Sequence, residues 1–142
     1  MEIDYNFAVF ELVFRLFCGV LFIYQGYDKL FVVGMKNVIE TFSSEANRKR
    51  VPKFFVVVSS YFSSIVEFVG GALLILGLFK PIVLTLLGVD LVIVAIAFST
   101  IQAMWDMKNV FPRLMLVGIL MVTPNSWEVF SLRNLIEYFI NK

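Results

Sequence analysis

The chain of 142 residues contains no histidine and a single cysteine, Cys18. The absence of histidine excludes haem held by an axial His, His-ligated zinc and acid–base relays that use imidazole. One cysteine cannot form an internal disulfide or a CxxC redox pair. The side chains left for chemistry are therefore carboxylates, Arg, Lys and Tyr, and the sequence predicts no metal site.

The chain also lacks an excess of charge of either sign, since 12 Lys and Arg stand against 11 Asp and Glu. No basic stripe extends beyond one loop, so we expect no nucleic-acid partner. The first residues, Met1-Glu2-Ile3-Asp4, lack the basic segment of a secretory signal peptide. We therefore expect the first apolar run to remain in the mature protein.

Apolar residues are abundant, at 60% of the chain with 16 Phe, and the mean hydropathy of +0.88 exceeds that of ordinary soluble domains. This composition predicts an integral membrane protein, with lipids as its surroundings. No repeat or linker divides the chain, so residues 1–142 are expected to form one membrane domain.

Four apolar stretches predict an all-α membrane protein built as a four-helix transmembrane bundle. A crossing needs about 20 apolar residues. The predicted crossings are residues 7–30, 54–79, 82–104 and 105–123. Lys80-Pro81 is expected to end the second crossing, and Asn109 is expected to cap a fourth helix with Pro112 in its first turn. Apolar residues at helical spacing predict an amphipathic C-terminal helix over about 127–140, with Glu128 on its polar side.

The segment between the first two crossings predicts a short interfacial helix, followed from Ser43 by an exposed polar loop. Basic residues are concentrated on the side of the membrane that holds this loop. The positive-inside rule then predicts that this loop is cytoplasmic and that both termini are outside.

Three ionisable residues, Arg15, Glu67 and Asp90, lie well inside apolar runs. A charge at the bilayer centre costs about 2.5–3.5 kcal/mol or more, so it needs a partner, a cavity or a function. Arg15 lies one helical turn after Glu11. The two residues predict either an ion pair near the membrane surface with Arg15 snorkelling, or an Arg15 that points inward to hold an anionic or carbonyl ligand.

Glu67 lies on a stripe of small and polar residues that includes Ser60, Ser64 and Gly71. This stripe predicts either a tightly packed helix seam or a pocket lined by Glu67. Asp90 is expected to face the protein interior, near Arg15, Glu67 or hydroxyl groups. Such a trio suits proton-coupled chemistry at a quinone head group, and it equally suits a buried clamp between helices.

The order of these residues resembles the DoxX family along nearly the whole chain. The first helix carries R-x-x-x-G-x-x-F and then G-x-x-K, beginning at Arg15 and ending at Lys29, and the second carries E-x-x-G-G-x-L-L-x-x-G-L from Glu67. The resemblance implies a four-helix protein of the bacterial inner membrane with a link to redox biology. One relative is the membrane subunit of a thiosulfate:quinone oxidoreductase.

Together, the residues and the resemblance predict a subunit that supports a membrane redox complex, with quinone as the expected non-covalent cofactor. A separate membrane or peripheral protein would supply the electrons, and catalytic residues are not assigned. The expected ligand-binding residues are Arg15, Lys29, Ser64, Glu67 and Asp90, and the expected helix-packing residues are Gly19, Gly26, Gly70 and Gly71. A non-catalytic structural subunit and a small-molecule or lipid carrier are the alternatives.

Overall fold

The computed structural model describes residues 5–101 and 107–140, apart from the side chains of residues 45, 101 and 107–109. Within these ranges every regular element is helical, which confirms the predicted all-α class. The elements are α1 (Tyr5–Tyr27), which continues as a π-helix (Asp28–Val32), α2 (Met35–Arg48), α3 (Lys53–Leu76), α4 (Lys80–Ile101), α5 (Met107–Val122), a 3₁₀ turn (Asn125–Trp127) and α6 (Leu132–Ile140).

Among the residues that the structure describes, three helices are long and apolar enough to cross a membrane. They are Tyr5–Val32 with 28 residues, Lys53–Leu76 with 24 and Lys80–Thr100 with 21. These segments correspond to the first three predicted crossings. The predicted end of the third crossing, at residue 104, lies outside the described residues.

The helix α5 is shorter, with 16 residues, and spans about 24 Å at 1.5 Å per residue. The predicted extension back to Trp105 lies outside the described residues, so four crossings remain a prediction. Two details of this helix were predicted wrongly: Asn109 lies inside α5 rather than capping it, and Pro112 lies beyond the first turn. Both errors arise because the helix begins before Asn109.

The turn between α3 and α4 is formed by Gly77, Leu78 and Phe79. Gly77 adopts a left-handed φ of 67°, and the backbone N–H of Leu78 donates to the Leu73 carbonyl at 3.0 Å, which closes the end of α3. Lys80 and Pro81 were expected to end the second crossing. They instead begin α4, because Pro is tolerated in the first turn of a helix, where its missing N–H would have no partner.

The four longer apolar helices pack in a ring: α1 against α3, α3 against α4, α4 against α5, and α5 against α1. The buried core inside this ring includes Cys18, Phe22, Leu74, Leu87 and Leu120. The α1–α3 contact is close because glycines face backbone across it. A Cβ on Gly71 would lie 2.6 Å from the Ile23 nitrogen and 2.7 Å from the Gly19 carbonyl oxygen. A Cβ on Gly26 would collide with the backbone of Phe68.

The short helix α2 is longer than expected, because it includes most of the polar run that was predicted as a loop. Val38, Phe42 and Ala46 recur at intervals of four and form one face, which packs against α3 and α4. This face continues past Ser43, so the helix does too, and only residues 49–52 connect it to α3.

The C-terminal helix begins at Leu132, later than the predicted residue 127. Glu128 precedes it and is buried, at 3% exposure, although it was expected on a polar outer face. Its carbonyl oxygen accepts hydrogen bonds from the Ser131 hydroxyl and the Asn134 amide, and this local bonding replaces a further helical turn. The placement of α6 at a membrane interface remains a prediction.

Candidate functional site

The buried charges form two separate groups rather than the single trio that was expected. The Arg15 cluster consists of Glu11, Arg15, Lys80 and Glu128, and the Glu67 cluster consists of Lys29, Ser63, Glu67, Asp90 and Arg113. Arg15 and Lys29 are 14 positions apart on the first helix, which places them about 21 Å apart along its axis. An interaction between Arg15 and Glu67 is therefore not formed.

The ion pairs of the Arg15 cluster are inaccessible to solvent. The Nε atom of Arg15 lies 3.2 Å from Glu11 Oε1, and Lys80 Nζ lies 3.0 Å from the same oxygen. Glu11 and Arg15 are both 0% exposed. Lys80 Nζ also donates to the Thr123 hydroxyl at 3.1 Å. The Glu11–Arg15 pair thus forms as the spacing predicts, but it is enclosed by the protein rather than placed at a surface.

The guanidinium of Arg15 caps the end of α3. It donates to the carbonyl oxygens of Leu74 at 3.1 Å and Ile75 at 2.9 Å, and to the carbonyl oxygen of Phe130 in the C-terminal segment. The last carbonyls of a helix have no partner within the helix. Arg15 therefore points inward, as one alternative predicted, but its donors bind the protein backbone, and it does not line either cavity described below.

Glu128 joins this cluster from outside the apolar helices. Burial raises the pKa of its carboxyl above the ordinary value of 4.5, and the negative charge of Glu11 acts in the same direction. The positive charges of Lys80 and Arg15 oppose the increase without cancelling it.

The Glu67 cluster joins three helices through one fully buried carboxylate. Lys29 Nζ lies 2.6 Å from Glu67 Oε2 and also donates to the Ser63 hydroxyl at 3.2 Å. The other oxygen, Glu67 Oε1, lies 3.7 Å from a guanidinium nitrogen of Arg113. Lys29 projects from the π-helix at the end of α1, a type of helical bulge that often accompanies functional sites.

Asp90 completes this cluster from α4. It is 0% exposed, lies beside Ser63, and interacts electrostatically with Glu67, Lys29 and Arg113. Neither of its carboxyl oxygens meets strict hydrogen-bond geometry with another group in the part of the chain that the structure describes, but the Ser63 hydroxyl is close enough to stabilise the carboxylate.

A cavity of about 720 Å³ adjoins the Glu67 cluster. Its walls are mostly apolar and come from α2, α3 and α4. Its polar side is formed by Gln25, Asp28, Lys29, Ser59, Ser60, Ser63 and Arg113. A second cavity of about 360 Å³ lies beside Lys80 and Thr123, near the Arg15 cluster.

The expected ligand-binding residues occupy different places around this cavity. Lys29 lines it, and Glu67 and Asp90 lie directly behind Lys29, Ser63 and Arg113. Ser64 is buried and donates its hydroxyl to the Ser60 carbonyl at 2.8 Å, one turn earlier on α3, so its donor is used within the helix. Arg15 belongs to the other cluster.

Sequence reasoning missed Ser63 and Arg113 as site residues. Ser63 immediately precedes Ser64, a member of the predicted polar stripe on α3, but does not itself belong to that stripe. Arg113 was counted only as a basic residue near a helix end, although an Arg inside an apolar segment is itself a signal. Among the described residues, no group of three or more Cys, Asp and Glu is arranged to hold a metal ion.

Comparison with protein-family models matches residues 10–100 to the model described as DoxX. A search of curated proteins and a search of solved structures found no match. The matched range contains Arg15, Lys29, Glu67 and Asp90, but not Arg113.

Proposed function

The chain belongs to the DoxX family, and on that premise we propose that it is an integral membrane subunit of a redox complex that binds a quinone in the cavity beside the Glu67 cluster. Membrane embedding follows from the family and from the three long apolar helices. The remaining steps of the proposal depend on the geometry of the cavity.

The cavity supports this proposal because it combines apolar walls with a few convergent polar groups. Binding sites for small molecules typically have this character and measure about 300–1,000 Å³. The volume of about 720 Å³ falls within that range. Phe42, Phe55 and Phe98 contribute apolar wall suited to an isoprenoid tail, while Lys29 and Arg113 offer N–H donors to a ring carbonyl.

The charged residues suit the proton side of quinone chemistry. Reduction of a quinone to a hydroquinone consumes two electrons and two protons. In our proposal Glu67 and Asp90 hold or exchange protons next to the head group, while Lys29 and Arg113 balance their charge. A single cysteine provides no disulfide couple, so a separate electron-donating protein subunit would supply the electrons.

We further propose that α1, α3, α4 and α5 all cross a bacterial inner membrane, with α6 lying in the interface. The basic residues around α2 would then be cytoplasmic and both termini outside. In this arrangement α2 covers the cavity from the cytoplasmic side.

A purely structural role is the second candidate, and the Arg15 cluster favours it. Arg15 connects α1, the end of α3 and the C-terminal segment through buried bonds that involve no ligand. The same principle applied to the Glu67 cluster would make Lys29, Glu67 and Asp90 parts of a second clamp between helices.

The test is purification in mild detergent with lipids retained, followed by mass spectrometry of the bound small molecules and proteins. Ser60→Phe places a ring in the cavity without removing a charge, and Val58→Phe is its control on the outward face of α3. Quinone retained by the wild type and by Val58→Phe, but lost from Ser60→Phe, supports the proposal. A wild-type protein that carries no quinone and associates only with non-redox proteins contradicts it and leaves the structural role.

A further inference from the structure

The large cavity beside the Glu67 cluster reaches the outer surface of the helix bundle. Of the described residues that line it, four are exposed: Asp28, Phe55, Ile96 and Thr100. Phe55 on α3 and Ile96 on α4 are each 61% exposed, although both form part of the cavity wall. A side chain that lines a cavity and is also largely exposed lies at the mouth of that cavity. Phe55 and Ile96 therefore mark an apolar mouth bounded by α3 and α4.

In the membrane this mouth faces lipid. Phe55 and Ile96 belong to two of the helices that are long and apolar enough to cross a bilayer. Ile96 lies four residues before the end of its apolar segment at Thr100, which is about 6 Å along the helix axis. A hydrocarbon chain that leaves the cavity past Phe55 and Ile96 stays among apolar groups. A path past Asp28 would instead bring the chain to an exposed carboxylate and to water, which is unfavourable.

The polar end of the cavity is set back from this mouth. Ser63 lines the cavity beside the Glu67 cluster, eight positions after Phe55 on α3, and this spacing corresponds to about 12 Å along the helix axis. The volume of about 720 Å³ is that of a site for a drug-sized molecule. Such a volume holds a head group and the first part of a tail, but not a long isoprenoid chain. The remainder of a long tail therefore has to leave the cavity.

We propose that the mouth between Phe55 and Ile96 is a lateral portal, through which the tail of the bound ligand passes into the bilayer. The head group lies at the polar end of the cavity, and only the first part of the tail lies inside the protein. This inference rests on the proposed function, since it concerns the same cavity. It narrows the ligand class to amphiphiles with a tail longer than the cavity, which enter from the lipid rather than from water.

The first experiment asks where the end of a long tail lies. It uses the purified full-length protein in detergent and four benzoquinone probes, with a farnesyl or a butyl tail, each with and without a terminal triphenylmethyl group. Affinities are measured by equilibrium dialysis against protein-free micelles. The bulky group should weaken the farnesyl probe by less than about threefold, because the end of that tail lies outside the portal. It should weaken the butyl probe about tenfold or more, because the end of the short tail lies inside the packed cavity.

A pair of variants tests the location of the portal. Ile96→Trp adds bulk at the proposed portal, so the plain farnesyl probe should bind about tenfold more weakly, whereas the plain butyl probe should change by less than about threefold. Val92→Trp is the matched control, because Val92 lies one turn earlier on α4 and is 55% exposed, but does not line the cavity. Both plain probes should bind this control as they bind the wild type.

The outcomes separate this inference from the proposed function. Binding of the plain probes with an equal penalty for the terminal group on both tails overturns the portal and leaves quinone binding intact. Equal affinity of the farnesyl probe for Ile96→Trp and Val92→Trp overturns the placement of the portal at Ile96. The absence of binding for all four probes overturns both proposals. If Ile96→Trp fails to fold, the four-probe comparison on the wild-type protein still decides whether the tail leaves the cavity.

Discussion

At the scale of single residues, similar charges inside apolar helices have different environments. Arg15 is matched by Glu11 and by three backbone carbonyls, and no part of it lines a cavity. Lys29 and Arg113 neutralise a buried carboxylate beside a cavity that they also line. The first arrangement stabilises the fold, and the second leaves polar groups available to a ligand.

Arg15→Lys should reduce the free energy of unfolding by about 2–3 kcal/mol, because an ammonium cannot reproduce a guanidinium that donates in several directions at once. Arg133→Lys is the matched control, since Arg133 and Glu137 have the same spacing but are half exposed. The control should change stability by less than about 0.5 kcal/mol. Denaturant unfolding in detergent measures both, and equal effects would contradict the capping role of Arg15.

Glu128 should make stability depend on pH. Burial raises the pKa of its carboxyl in the folded protein above the ordinary value of 4.5. At a pH between these two pKa values, the folded state binds more protons than the unfolded state. Stability should therefore fall as the pH rises through this window. In thermal melts across a pH series, Glu128→Gln should flatten this slope, whereas the exposed control Glu137→Gln should not. Identical slopes in the wild type and Glu128→Gln would show that Glu128 is not the source.

At the scale of secondary structure, small residues determine how closely α1 and α3 approach. Gly19 and Gly71 bring the two backbones together, and this approach positions the π-helix at the end of α1 so that Lys29 reaches Glu67 on α3. The ion pair therefore depends on the close packing of α1 against α3.

Gly71→Ala should destabilise the protein by about 1–3 kcal/mol, because the added methyl group would collide with the backbone of Ile23 and Gly19, which cannot move independently of α1. Gly88→Ala is the control, since a Cβ at Gly88 has no neighbouring atom within 4 Å. That change should be neutral or stabilise by up to about 1 kcal/mol through helix propensity. Thermal unfolding measures both variants, and equal losses would argue against a tight α1–α3 seam.

At the scale of the whole molecule, the two clusters differ in what surrounds them. The Arg15 cluster connects helix ends with the C-terminal segment, and the Glu67 cluster adjoins the large cavity beneath α2. The proposed orientation places the first cluster near the outer surface and the second toward the cytoplasm.

This orientation can be tested with variants that each carry one introduced cysteine. Native Cys18 can stay in place, because it is 0% exposed and should not react. In intact cells, a membrane-impermeant maleimide should label Asn125→Cys but not Lys49→Cys, both of which are exposed positions. Lys49→Cys should react after the membrane is permeabilised. The reverse pattern would invert the orientation, and labelling of both positions from outside would contradict the four-crossing topology.

Properties that depend on neighbouring residues could be predicted from the sequence. Runs of apolar residues predicted helices, and isolated charges within them predicted buried ionisable groups. The lengths of these runs predicted four crossings, of which three correspond to long apolar helices among the described residues. The family was also recognisable, because its motifs have fixed spacing within single helices. Helix ends were less predictable: Pro81 and Pro112 can each lie just inside a helix or interrupt one, and local sequence does not decide between these positions.

The sequence by itself determined the all-α class, the membrane environment and the burial of Arg15, Glu67 and Asp90, because hydropathy and helical periodicity are local properties. Only the tertiary structure decided which charges meet. Arg15 binds Phe130 across 115 positions, and Lys29 binds Glu67 across 38. Such contacts depend on how each helix is rotated and how closely it packs against its neighbours, and no local pattern specifies these. The cavity likewise exists only between helices, so the residues that line it could be identified only from the packing of α2, α3 and α4.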